Sequence, residues 1–142
     1  MNRKIPDTLR IFLLIDALIA LGFGLYSWLR PYETFGTIIS IPENDPSAFI
    51  SILNTLSVFY IVIGLICLVG FRTNFPTNTW IGLIMIIRHI LECILKVFDI
   101  GSEWLIGNPY TDITIHSIFI IGYITAIVIS HKKQASIEKQ KS

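Results

Sequence analysis

Three charged side chains recur at a helical spacing inside the apolar stretch "IIRHILECILKVFDIGSEW". Arg88, Glu92 and Lys96 follow one another at intervals of four residues, and Asp99 comes three residues later. On an α-helix these side chains lie along one stripe with alternating sign, where they can form ion pairs. His89 belongs to the adjacent row of the same helix. The pattern therefore predicts one polar stripe on an otherwise apolar helix.

A charge in a lipid-embedded helix costs about 2.5 to 3.5 kcal/mol at the bilayer centre, so such residues usually find partners inside a bundle. Asp16 lies about seven residues into the first apolar segment, and Arg88 lies about eight residues into the third. At about 1.5 Å per residue, the two depths nearly match when both are counted from the same membrane face. We therefore expect Asp16 to pair with Arg88.

A second set of polar residues is expected nearer the opposite face of the membrane. His116, Glu92 and Asn54 each lie about four to six residues from that end of their segments. A contact between Glu92 and His116 could carry a proton or bind a ligand head group, with Asn54 as a third member. An ion-pair network that only fixes helix packing is the alternative interpretation, and the sequence leaves both open.

The sequence predicts neither a resident cofactor nor a metal site. His89 and His116 are candidate haem ligands, but their predicted depths differ by several residues, so a shared haem is not expected. Cys67 and Cys93 lie in apolar runs without metal-ligand spacing, and are interpreted as buried small hydrophobic residues. A quinone or another lipid remains a candidate ligand for the polar residues.

Four apolar segments must position these residues. The predicted spans are residues 9–29, 48–71, 80–98 and 113–130, with a short polar tail at 131–142. Each approaches the roughly 20 residues that cross about 30 Å of hydrocarbon as a helix. The 142 residues are 53% hydrophobic and only 15% charged, with a mean hydropathy of +0.67. These values predict a single all-α domain, an integral membrane four-helix bundle.

The charges in the loops predict its orientation. Basic residues dominate the ends of the chain and the second loop: Arg3, Lys4, Arg10, Arg72, Lys132, Lys133, Lys139 and Lys141. Acidic residues dominate the first and third loops: Glu33, Glu43, Asp45, Asp99, Glu103 and Asp112. By the positive-inside rule both termini are cytoplasmic. The net charge of +1 gives no reason to expect nucleic acid as a partner.

Local signals refine this picture. The "RP" pair after the first span predicts a break, followed by a short interfacial helix within "YETFGTII". Asp45 or Ser47 is expected to cap the start of the second span. Four glycines in the first two spans are expected to permit close helix packing: Gly22, Gly24, Gly64 and Gly70.

The four short spans, the "RP" break and a third span of the form "RH-x2-E-x3-K" resemble the DoxX-like membrane proteins over most of residues 9–130. The resemblance implies a four-helix bundle of a bacterial inner (cytoplasmic) membrane with an accessory or small-ligand role. Members of that group are linked with quinone-dependent sulfur oxidation, oxidative-stress complexes and ion-channel assembly. This chain lacks a cysteine pair suited to thiol redox work, which argues against a direct sulfur role.

A looser similarity connects the chain with sterol-isomerase-type membrane proteins, which place His, Glu and Trp in a membrane cavity. Here His89, Glu92, Glu103 and Trp104 supply those residue types. The leading functional prediction is nevertheless an accessory or assembly subunit of a larger membrane complex, redox or respiratory in type. Its expected partners are the lipid bilayer, other membrane subunits or a second copy of the chain.

The alternative is a binder or enzyme that acts on a quinone, sterol or other lipid-like ligand through Glu92 and His116. The sequence leaves open whether any catalysis occurs. A transporter is a third class, and a chain with only four spans would need to oligomerise for that role.

Overall fold

The computed structural model describes residues 8–36, 38–40, 46–101 and 107–140. Within these ranges the chain is helical and contains no β-strand. The helices are α1 (Thr8–Leu29), α2 (Pro31–Phe35), α3 (Pro46–Arg72), α4 (Thr77–Phe98) and α5 (Pro109–Lys139). The prediction of an all-α chain is confirmed.

Proline sets the start of three of these helices. Pro31, Pro46 and Pro109 each occupy the first helical position, where the fixed φ of proline suits a helix and its missing N–H costs no hydrogen bond. The short helix predicted after the "RP" break is therefore present as α2. Ser47 lies inside the first turn of α3 and does not precede it, whereas Asp45 lies outside the described residues.

Helix α5 is longer than the predicted fourth span. It begins at Pro109, four residues before the expected start, and continues into the predicted polar tail as far as Lys139. The early start follows from the proline at its first position. It also moves His116 one full turn deeper into the helix than the sequence prediction assumed.

Three helices in the described ranges are long and apolar enough to cross a membrane: Thr8–Leu29, Phe49–Arg72 and Pro109–Ser136. Helix α4 has the same length as α1, 22 residues, but it carries Arg88, Glu92 and Lys96. Two of these charges, Arg88 and Glu92, lie in the middle part of α4, whereas the charges of α5 lie near its two ends. The structure therefore shows a helical chain with three membrane-capable helices.

Helices α1 and α3 approach each other closely at glycines. A Cβ atom placed on Gly24 would lie 2.9 Å from backbone atoms of Ile61 and Ser57, and one on Gly64 would lie 2.5 Å from Leu21. The expected packing role is confirmed at both positions, and also at Gly70, where Ile81 of α4 approaches. It is wrong for Gly22, which is exposed and has open space around its Cα.

The buried core gathers α1, α3, α4 and α5 toward the end of the bundle that carries residue 9. Its members are Leu9, Leu13, Ala17, Cys67, Ile81, Met85, Tyr123 and Ala126. Cys67 is fully buried, with its Sγ 3.3 Å from Met85 Sδ, as expected for a small hydrophobic residue. Cys93 is only partly buried, and its Sγ faces the Ile113 carbonyl at 3.8 Å.

Helix α2 covers the opposite end of the bundle. The ring of Phe35 is buried and meets Phe23 edge-on, with 6.0 Å between the centroids. The Arg30 guanidinium donates a 2.6 Å hydrogen bond to Glu33 and holds the pKa of that exposed carboxyl below its ordinary value. Beyond α2, Gly107 N donates to Ile38 O at 3.2 Å, which ties this segment to the start of α5.

Candidate functional site

Asp16 lies at the centre of a buried polar cluster formed by three helices. Its side chain accepts hydrogen bonds from Arg88 Nη1 at 3.1 Å, from His89 Nε2 at 3.2 Å and from Tyr123 Oη at 3.0 Å. Asp16 and His89 are each only 2% exposed. A buried carboxylate needs such donors to offset its lost hydration. The predicted Asp16–Arg88 pair is therefore confirmed, and two further donors join it.

His89 also contacts His116 of α5. The two Nδ1 atoms lie 2.9 Å apart, which is a hydrogen-bond distance, so one ring donates and the other accepts. Phe119 stacks against the His89 ring at a centroid distance of 4.9 Å and holds its orientation. The predicted difference in depth between the two histidines is wrong, because α5 begins at Pro109 and carries His116 deeper.

The charged stripe of α4 forms as predicted and extends to neighbouring helices. Arg88 Nη2 lies 3.8 Å from Glu92 Oε1, and Tyr60 of α3 donates to the same oxygen at 3.5 Å. Lys96 Nζ lies 3.9 Å from Asp99 and 3.3 Å from Asp112, which is on α5. Arg88 and Lys96 therefore each have one carboxylate within four residues along the chain and another on a neighbouring helix.

Glu92 and His116 take other partners than each other. His116 bonds to His89, while Glu92 meets Arg88 and Tyr60. Within the described residues Glu92 and His116 form no hydrogen bond or ion pair with each other, so the predicted direct contact is not formed. Asn54 stays apart as well, since its Oδ1 is buried without a hydrogen-bond partner among the described residues.

Glu92 and His116 nevertheless line one cavity of about 470 Å³. Its apolar wall comes from Ile19, Ala20, Phe23, Phe35, Ile38, Ile39, Leu53, Leu56 and Ile115. Its polar wall comes from Tyr60, Arg88, Glu92, Lys96, Asp112 and His116. A concave, mostly apolar space with a few convergent polar groups is the usual form of a small-molecule site.

Three residues of the site escaped the sequence prediction: Tyr60, Asp112 and Tyr123. A signal for Tyr123 is present, because it follows His116 by seven residues and so lies two turns further along the same helix face. Asp112 carries a similar signal, because it precedes His116 by four residues on the same helix face. Tyr60 carries none, because no other polar residue of the site lies on α3 at a helical spacing from it. Among the described residues, no group of three or more His, Cys, Asp or Glu side chains is placed to hold a metal ion.

Comparison of the chain with protein-family models, curated proteins and solved structures finds no match. The resemblance to DoxX-like proteins stays a prediction. Glu103 and Trp104, on which the looser similarity to sterol-isomerase-type proteins depends, lie outside the described residues.

Proposed function

We propose that this chain is a four-span membrane protein that binds a lipid-like ligand, such as a sterol, a quinone or another long-chain amphiphile, in the cavity between its helices. The cavity of about 470 Å³, with one apolar and one polar wall, carries the proposal. Such a space matches a molecule with an apolar body and a small polar group. The accessory-subunit prediction instead expects the chain to co-purify with larger partner proteins and to carry no such ligand. The experiments below distinguish the two functions.

The distribution of buried and exposed side chains on α4 supports its inclusion as the fourth span. The side chains of Arg88, Glu92 and Lys96 are only 15%, 23% and 19% exposed, because they turn toward α1, α3 and α5. The outward positions of α4 are instead large and apolar: Ile87, Ile90, Leu91, Ile94, Leu95 and Phe98. A helix that hides its charges and exposes apolar side chains suits a lipid environment.

The grouping of charges at the two ends supports an orientation with both termini in the cytoplasm. Arg10 of α1 donates to Thr73 O at 2.7 Å, and the Phe75 ring meets His131 of α5 at a centroid distance of 5.0 Å. Among the described residues, the basic side chains near these contacts, those of Arg10, Arg72, Lys132 and Lys133, therefore gather at one end of the bundle. The acidic residues Asp99 and Asp112 lie at the other, so the positive-inside rule applies to the folded bundle. We place it in a bacterial inner membrane on the DoxX-like resemblance.

Native mass spectrometry of protein extracted gently from its own membrane tests the function directly. We expect a single or self-associated chain that carries a lipid-like molecule, whose mass would identify the ligand class. Large co-purifying subunits and an empty chain would instead favour the accessory role and contradict the ligand-binding one.

A matched pair of tryptophan substitutions locates the ligand. Ile19 and Leu18 are neighbours on α1 with 54% and 62% exposure, but only Ile19 lines the cavity. Ile19→Trp should fill the cavity and abolish the bound mass, whereas Leu18→Trp should leave it unchanged. Equal retention of the ligand by both variants would place it outside the cavity and overturn the proposal.

A further inference from the structure

We infer that the cavity accepts a neutral amphiphile with a hydroxyl group, and that the Nε2 atom of His116 accepts the hydrogen bond from that hydroxyl. This inference rests on the proposed ligand-binding function and names its ligand class. It follows from two observations on the polar wall, namely which charges are already paired and which atoms the ring nitrogens of the two histidines meet.

The cationic groups of the polar wall already have anionic partners. Arg88 lies 3.1 Å from Asp16 and 3.8 Å from Glu92, and Lys96 lies 3.3 Å from Asp112. Asp16, Glu92 and Asp112 together outnumber these two cations, so an anionic head group would have to compete with carboxylates that are already in place. The cavity therefore favours an uncharged head group that can form hydrogen bonds.

The hydrogen bonds of Asp16 determine the tautomers of the two histidines. An ionised carboxylate only accepts hydrogen bonds, so His89 must carry its proton on Nε2 to bond with Asp16 at 3.2 Å. The neutral ring then has an acceptor at Nδ1, and His116 must donate to it from its own Nδ1, 2.9 Å away. The Nε2 atom of a neutral His116 is therefore an unprotonated acceptor.

This Nε2 atom is available to the cavity. His116 is half-buried and lines the cavity wall, and its Nδ1 side is turned to His89. Within the part of the chain that the structure describes, no side chain bonds to Nε2. A hydroxyl is the neutral head group that supplies the missing donor.

Nitrogen-15 NMR of the histidine rings tests the tautomers without any ligand. The full chain in lipid nanodiscs contains only three histidines, so labelled histidine gives three pairs of ring signals, assigned by His89→Gln, His116→Gln and His131→Gln. We expect protonated Nδ1 and bare Nε2 in His116, and the opposite pattern in His89. A proton on Nε2 of His116 would overturn the inference.

Binding of two matched probes tests the ligand class. The probes are a nitrophenol with a long alkyl chain and its methyl ether, which lacks the hydroxyl donor. The wild-type chain should bind the phenol about two- to tenfold more tightly, the range expected for one hydrogen bond. At a pH where the free phenol is protonated, the bound phenol should stay protonated and show no visible absorption of the nitrophenolate.

Variants at His116 test whether this side chain accepts the hydrogen bond. His116→Gln keeps an acceptor and should retain the preference for the phenol, whereas His116→Leu should lose it. His131→Gln, at the other end of α5, should behave like the wild type. Equal wild-type affinity for both probes, or a preference that survives in His116→Leu, overturns the inference but leaves the ligand-binding function intact. Binding of neither probe would overturn both.

Discussion

The α1–α3 interface and the polar contacts among α1, α4 and α5 pack in opposite ways within one bundle. At the first, Gly24 and Gly64 bring the helices so close that an added Cβ would lie 2.5 to 2.9 Å from the other helix. At the second, long charged side chains reach between the helices, and a cavity of about 470 Å³ opens beside them. The close interface needs small residues, and the open one needs charge partners.

This difference separates two roles, namely helix association and the placement of polar groups beside a cavity. In a membrane, close van der Waals contact at small residues is a main source of helix association, because lipid tails are as apolar as the side chains they surround. The α1–α3 pair supplies that contact. Helices α4 and α5 can then carry polar side chains and leave room for a ligand, provided that every charge has a partner.

Removal of the central carboxylate should have the largest effect. Asp16→Asn is isosteric but leaves Arg88, whose side chain is 15% exposed, without its closest anion. We expect the free energy of unfolding in detergent to fall by about 3 to 5 kcal/mol, as for other broken buried pairs. Glu33→Gln, which breaks an exposed ion pair, is the control and should cost less than about 1 kcal/mol. A loss below about 1 kcal/mol in Asp16→Asn would show that the cluster contributes little to folding.

The second largest effect is expected when the hydrogen bond from the Tyr123 hydroxyl to Asp16 is removed. Tyr123 is fully buried and donates to the carboxylate at 3.0 Å. Tyr123→Phe should lower the free energy of unfolding by about 1.5 to 3 kcal/mol, the range for hydrogen bonds to charged groups. Tyr60→Phe is the matched variant, with its Oη 3.5 Å from Glu92, and should cost less than about 0.5 kcal/mol. Equal losses in thermal unfolding would contradict this ranking of the two hydroxyls.

The close interface has its own pair of substitutions. In Gly24→Ala the new Cβ would lie 2.9 Å from Ile61 N and Ser57 O, which are backbone atoms and cannot rotate away. We expect a loss of about 1 to 3 kcal/mol from overpacking. Gly22→Ala meets open space two residues earlier, and should be neutral or should gain up to about 1 kcal/mol in helix propensity. Similar denaturation midpoints for both variants would show that the helices need no close approach at Gly24.

The smallest effect is expected at the outer end of the stripe. Lys96 lies 3.3 Å from Asp112, which is 42% exposed, so solvent weakens the pair. Lys96→Gln should cost about 0.2 to 1 kcal/mol at low salt and less at high salt. Lys132→Gln, on the exposed end of α5, controls for the loss of a positive charge. If the loss of unfolding free energy in Lys96→Gln did not change with salt, the pair with Asp112 would not be a solvent-screened one, and this prediction would be wrong.

Much of the helical framework could be predicted from local patterns. The prolines mark three helix starts, and the ends of the first two predicted spans match the ends of α1 and α3 to within two residues. The four-residue spacing of Arg88, Glu92 and Lys96 also predicted one inward-facing stripe on α4, because a helix fixes the relative direction of its own side chains. The pairing of Asp16 with Arg88 followed from equal depth alone.

The site itself was less predictable. His89 and His116 were placed at different depths, and Glu92 was assigned to the wrong partner, because one turn at the start of α5 shifts every residue that follows. Tyr60 reaches Glu92 only through the rotation of α3 about its axis. The spacing of residues within a single helix does not predict how that helix is rotated against its neighbours.

The sequence by itself determined the helices, their apolar outer surfaces and the polar stripe, since each depends on residues close together in one chain segment. Only the tertiary structure decided that Asp16, His89 and His116 form one hydrogen-bonded chain and that a cavity lies beside it. Those features depend on how far each helix slides and turns against its neighbours. Close packing of all four long helices sets these relations together, so no single helix could reveal them.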